Sequence, residues 1–120
     1  MHSLLGLVLG TGGWSIDMPE KTFTIPLSAE CFLVAECFRS GPNVTDFVVR
    51  LMVYREDGEI EVVARYDTAH GLAHLDQLRQ GGRLIDKTWL PHLDFNAAYE
   101  YALDEFKTNH GYYLQRWRGI

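Results

Sequence analysis

The run TDFVVRLMVYREDGEIEVVARYD, residues 45–67, decides the fold. Apolar and polar residues alternate on both sides of Asp57-Gly58, and a period of two marks strands with one buried face. Asp-Gly suits a two-residue type I′ turn, in which both central residues take positive φ. A turn there sets Arg55 opposite Ile60, Val53 opposite Val62 and Leu51 opposite Ala64. Phe47, Val49, Leu51, Val53, Ile60, Val62, Ala64 and Tyr66 then share the core face. The other face carries Val48, Arg50, Met52, Tyr54, Glu61, Val63, Arg65 and Asp67, with Arg50 directly across from Arg65. Like charges so paired repel unless an anion or a carboxylate lies between them.

Upstream, AECFLVAECFR (29–39) is apolar on both alternating sets, which predicts a strand buried on both faces and paired with 44–55 across SGPN. Residues 23–27 add a further strand piece, with Pro26 marking an edge or a bend. Downstream, a turn at Gly81-Gly82 would bring Asp76 opposite Lys87, Leu78 opposite Ile85 and His74 opposite Trp89. From Asp94 the period changes: Phe95, Ala98, Tyr99, Ala102, Leu103, Phe106, His110, Tyr113 and Trp117 form one helical stripe. Asp94 is an N-cap, and Gly111 either ends the helix or weakens it. Strands followed by a helix make an α+β domain. The sheet is expected to be mainly antiparallel, with four or five strands. One long C-terminal helix packs on the face of Val49, Leu51, Val62 and Tyr66.

At 120 residues the chain is one domain's worth of sequence. Its net charge of −5 excludes a global positive field that would draw it to nucleic acid or to an anionic membrane. Cys31 and Cys37 fall in one extended strand about 20 Å apart, too far for a disulfide, and read as buried thiols of a reducing cytoplasm. The apolar run at 4–9 is too short to span a membrane or to serve as a signal peptide. Residues 1–17 read as a leader or appended extension before Met18, with an extra edge strand at 4–9 as the alternative, and 18–120 as the single domain.

The chemistry concentrates in RYDTAHGLAHLDQL, residues 65–78. His70 and His74, four apart, share a face whether the segment is helical or extended. With Asp67 and Asp76 they make a donor set suited to zinc or manganese. In a plain structural reading, Arg65 and Asp67 pair along one strand, 68–71 is a polar turn, and His74 lies over Trp89. A third reading needs no metal or cofactor. Arg50 and Arg65 bind a phosphate, His74 and His70 move protons, and Asp67 orients Arg65 or a histidine, as metal-independent RNA cleavage requires. Tyr54 and Met52 on the arginine-bearing face offer a surface for a base.

This dodecapeptide, RYDTAHGLAHLD, with a strand before it and one amphipathic helix ending the chain, resembles small prokaryotic proteins of unknown function. More distantly it resembles the TumE-like toxins of toxin-antitoxin pairs. The likeness covers roughly residues 44–117 and carries over Arg65, Asp67, Gly71 and His74, together with His70. The toxin-like pattern has a second histidine where this chain has Asp76. What the resemblance implies is a ribonuclease with RNA as its substrate, and the reduced cysteines place it in the cytoplasm. The competing class is a non-catalytic interaction module in a toxin-antitoxin or phage-defence setting, with no membrane involved. It would bind an antitoxin-like protein or a second copy through a strand edge or the Tyr112, Tyr113 and Trp117 cluster.

Overall fold

The computed structural model describes residues 21–120; the expected leader over 1–17, with its alternative strand at 4–9, lies outside them. Among the described residues six strands precede one helix: β1 (Lys21–Pro26), β2 (Cys31–Ser40), β3 (Asn43–Tyr54), β4 (Ile60–Asp67), β5 (His74–Arg79), β6 (Arg83–Trp89) and α1 (Phe95–Arg118). Each strand pairs antiparallel with its neighbour in sequence, so the order across the sheet is the order along the chain. The α+β architecture is as expected. The described residues hold six strands rather than four or five, because both 21–26 and the 74–89 hairpin pair fully into the sheet.

The decisive hairpin closes differently from the expected turn. Arg55 N–H donates to Glu59 O at 2.8 Å and Gly58 N–H to Arg55 O at 2.9 Å, leaving a three-residue loop. Gly58 alone takes positive φ, at 88°, so one residue in the left-handed region suffices where a type I′ turn needs two. Asp57 holds the loop from both carboxylate oxygens: one accepts Glu59 N–H at 3.0 Å, the other the Arg55 guanidinium at 2.6 Å. The longer loop shifts the register by one residue near the turn, so Tyr54 faces Ile60 and Val53 faces Glu61. A bulge then makes Val63 the surplus residue, and beyond it Leu51 faces Ala64 and Arg50 faces Arg65, as expected.

The correction therefore concerns the turn half. Ile60 is 50% exposed and Val62 only partly buried, while Val63 is buried. Val62 pairs with Met52 on the face away from the helix, and is not part of the helix-packing face. Glu61 comes round to the helix side, accepting Gly81 N–H at 2.6 Å and the Trp117 indole N–H at 3.4 Å. The second hairpin shows the same pattern. Asp76 faces Lys87 and His74 faces Trp89, but a bulge at Gln77/Leu78 puts Leu78 opposite Leu84 rather than Ile85.

β2 presents Cys31, Leu33, Ala35 and Cys37 to the core, and neither cysteine is in a disulfide. α1 lies on the Phe47, Val49, Leu51 and Tyr66 face, where Tyr66 meets Phe106 at 4.9 Å and Phe47 meets Tyr99 at 5.4 Å between ring centroids. Full burial of a large apolar side chain such as Phe47 or Phe106 stabilises the fold by about 1.5–3 kcal/mol. Asp94 caps the helix, accepting Ala97 N–H at 2.8 Å. The helix runs through Gly111, with its one departure at Asn109 (φ −116°), and ends at Gly119, whose φ of 86° is the left-handed cap. Tyr113 and Trp117 are buried in the core, so the terminal aromatics dock the helix onto its own sheet and only Tyr112 faces out. Among the described residues no helix is long and apolar enough to cross a membrane.

Candidate functional site

Alternation along β4 sends Tyr66 under the helix and Arg65 and Asp67 to the opposite, distal face. Cross-strand pairing extends that face sideways in two rows. One runs Arg50, Arg65, Asp76, Lys87 and the other Val48, Asp67, His74, Trp89. Between β4 and β5 the chain turns sharply through a single helical turn, Ala69–Gly71. Gly71 N–H donates to Thr68 O, and the buried Thr68 hydroxyl accepts Phe47 N–H at 3.1 Å and donates to Asp46 at 3.2 Å. His70 sits at the apex with φ 70°, the only non-glycine residue described there in the left-handed region. That conformation is strained for a side-chain-bearing residue, and it holds the imidazole out of the sheet.

The centre of the site is His74, 2% exposed although it lies on the face away from the helix. Its Nδ1–H donates to Leu72 O at 3.1 Å, because a carbonyl only accepts. Its Nε2 lies 3.1 Å from Asp67 Oδ1 and 3.8 Å from Asp76 Oδ2. Both ring nitrogens therefore face acceptors. The rings of His70 and Trp89 flank it at 6.4 and 4.9 Å between centroids.

The carboxylates are held in turn. Asp67 Oδ1 accepts Ala69 N–H at 2.9 Å, and its Oδ2 lies 3.1 Å from Arg65 Nε. Asp76 accepts Arg65 Nη2–H at 2.8 Å and Lys87 Nζ–H at 2.6 Å. Burial works to raise the Asp76 carboxyl, but the hydrogen bonds from Lys87 and Arg65 outweigh it and hold the group below its ordinary value. The expected Arg50–Arg65 repulsion is relieved sideways: Arg65 turns to Asp67 and Asp76, while Arg50 approaches Glu36 at 3.5 Å.

The layering matters most for chemistry. The side chains of Asp67 and Asp76 are 12% and 5% exposed, whereas those of Arg65 and Lys87 are 34% and 31% exposed. Solvent thus meets guanidinium and ammonium, with the negative charge beneath them. The Asp67, His74 and Asp76 donors all lie within 4.8 Å of one another, a set that would suit a divalent cation. His70 is not part of that set. Arg65 and Lys87 already neutralise both carboxylates, so a dication would add charge to a balanced cluster.

The sequence-predicted residues Arg65, Asp67, His70 and His74 come together, and Arg50 lies on the adjoining strand. Tyr54 does not join them. It pairs with Ile60, seven residues or about 23 Å along β4 from Asp67, and packs on Phe32 at 5.1 Å between centroids. Lys87 and Trp89 join the site as well, and the signal for them in the sequence is the Gly81-Gly82 turn, which sets them opposite Asp76 and His74.

The family described as a domain of unknown function (DUF7718) matches residues 18–119. No curated protein and no solved structure gives a significant match to the chain.

Proposed function

The chain belongs to the DUF7718 family, and we propose that it is a TumE-like, metal-independent ribonuclease acting on the distal face beside His70. The observation that carries this reading is the layer of half-exposed cations over buried carboxylates, next to an exposed imidazole. Arg65 donates from Nη2 to Asp76 with its Nε facing Asp67 as an ion pair, and Lys87 uses one of its three N–H groups, so both keep donors for a phosphate. Those fixed charges do the work a metal would do at phosphorus.

His70 is the proton-transfer group in this reading, because no nitrogen of His74 faces solvent. His70 takes the 2′-hydroxyl proton as O2′ bonds to phosphorus; the P–O5′ bond breaks, O5′ takes a proton from water, and the hydroxide so formed takes the proton back from His70. The products are a 2′,3′-cyclic phosphate and a 5′-hydroxyl end. Asp67 and His74 then act by position: His74 supports the His70 ring, and Asp67 holds Arg65. The same reading places the protein in the cytoplasm, silenced by an antitoxin-like partner.

The test is cleavage of a mixed RNA pool in EDTA. Wild type should cleave, and His70→Ala should lose about 10²-fold or more, the usual worth of a general base. His74→Ala should also lose activity but with altered melting, as expected for a buried ring. Absence of cleavage by the wild type sinks the proposal. A second reading, a non-catalytic protein-binding module, draws on β6, the last strand of the sheet, which exposes Leu84 and Trp89. A solution mass that rises with concentration would favour it.

A further inference from the structure

We infer that Trp89 is a stacking platform for an unpaired base, which makes single-stranded RNA the substrate class of the site; this rests on the ribonuclease reading above. Trp89 stands at the end of β6, an edge strand among the described residues, and is 44% exposed, an unusual state for the largest side chain in a sheet. Register puts it opposite His74, so the indole leans on the buried imidazole at 4.9 Å while keeping accessible ring surface. Lys87, two residues back on the same face, holds its ammonium over the indole, 5.3 Å from its centroid, and turns aside to a phosphate as a base stacks. Arg65 is two strands further in, on β4, joined to Lys87 through Asp76 on β5.

An exposed aromatic ring bordered by cations is the arrangement that single strands use. The base stacks, the phosphate meets the charge, and no sequence is read. A duplex cannot use it, because its bases are already stacked on one another and its accessible groove offers backbone and 2′-hydroxyls instead. The indole and the His70 imidazole flank the same His74 ring, so a strand with one base on Trp89 brings its backbone to His70.

The probe is a fluorescein-labelled 2′-O-methyl RNA 12-mer, which binds without being cut, used as a single strand, as a duplex and with one abasic position scanned along it. Fluorescence anisotropy should show wild type preferring the single strand at least tenfold. Trp89→Ala should weaken single-strand binding about tenfold and leave duplex binding unchanged, and Trp89→Phe should recover most of the loss. One abasic position should reproduce the Trp89→Ala loss in wild type and add nothing in the variant. With cleavable RNA, Trp89→Ala should raise KM more than it lowers kcat.

Single-strand binding and cleavage by wild type with no change in Trp89→Ala would overturn the stacking role and leave the ribonuclease reading standing. No binding of any RNA and no cleavage would remove both, and a concentration-dependent mass lost in Trp89→Ala would give this ring to a protein contact.

Discussion

Tyr66 and Asp67 are neighbours on β4, and both are buried, at 2% and 8% exposed. They reach burial by opposite chemistry. Tyr66 lies under α1 against Phe106 and Tyr101, where apolar area removed from water does the stabilising. Asp67 lies on the other face under Arg65 and beside His74, where a charge can be buried only because partners surround it. The helix face is therefore an ordinary core. The distal face spends its sequence on a polar cluster that contributes less to stability, and a polar cluster held in place at that cost is where function is to be sought.

The comparison can be broken most directly at the helix. Phe106→Ala should destabilise by about 3–5 kcal/mol in chemical denaturation, the usual cost of an aromatic cavity. A loss below 1 kcal/mol would mean that this face does not anchor the helix. Next is Asp76→Ala, which orphans Lys87 and one donor of Arg65. Because both cations reach solvent and can turn outward, the loss should be about 1–3 kcal/mol, below that of a fully buried pair. A cost equal to that of Phe106→Ala would make the cluster a second core.

Titration separates the faces further. Burial, then the hydrogen bond with Tyr113, pushes the Tyr66 hydroxyl far above its ordinary value; burial raises Tyr99 to about 12. The unfolded chain ionises these groups near pH 10, so their contribution is complete below that value and lost as pH rises above it. Asp76 runs the other way. Its folded value is lowered, so its contribution is complete above about pH 4 and lost as pH falls through the lowered value. Melting temperature against pH should fall at both ends. Tyr66→Phe should flatten only the alkaline limb and Asp76→Asn only the acid limb. The smallest effect should be at Ile60: Ile60→Ser should change stability by no more than about 0.5 kcal/mol, as at a surface position. A core-sized loss would restore the unbulged register.

Most of the fold was legible in the alternation of 45–67 and the helical stripe from Asp94. The site half of the sheet was legible too, because Arg50 opposite Arg65 and His74 opposite Trp89 hold in both the expected and the observed registers. The turn half was not. Asp-Gly fits a two-residue turn and a three-residue loop equally well, and the choice lies in Asp57 bonding to both Arg55 and Glu59, a contact that periodicity does not encode. The burial of His74 was hidden for a similar reason. A histidine on the face away from the helix reads as solvent-facing until the 68–71 turn, Trp89 and two aspartates are seen to enclose it. Tyr54 was misplaced because sharing a face is not sharing a site on a strand of 12 residues.

The surplus residue Val63 divides the hairpin into two independent halves. It supplies a phase correction of one residue, so the shift set by the loop at 56–58 is cancelled before the chain reaches Ala64. The loop therefore sets the neighbours of Glu61 and the docking of the helix end, while Arg65 takes its place from the strands beyond the bulge. The tip of the hairpin and the chemistry at its base answer to separate geometry.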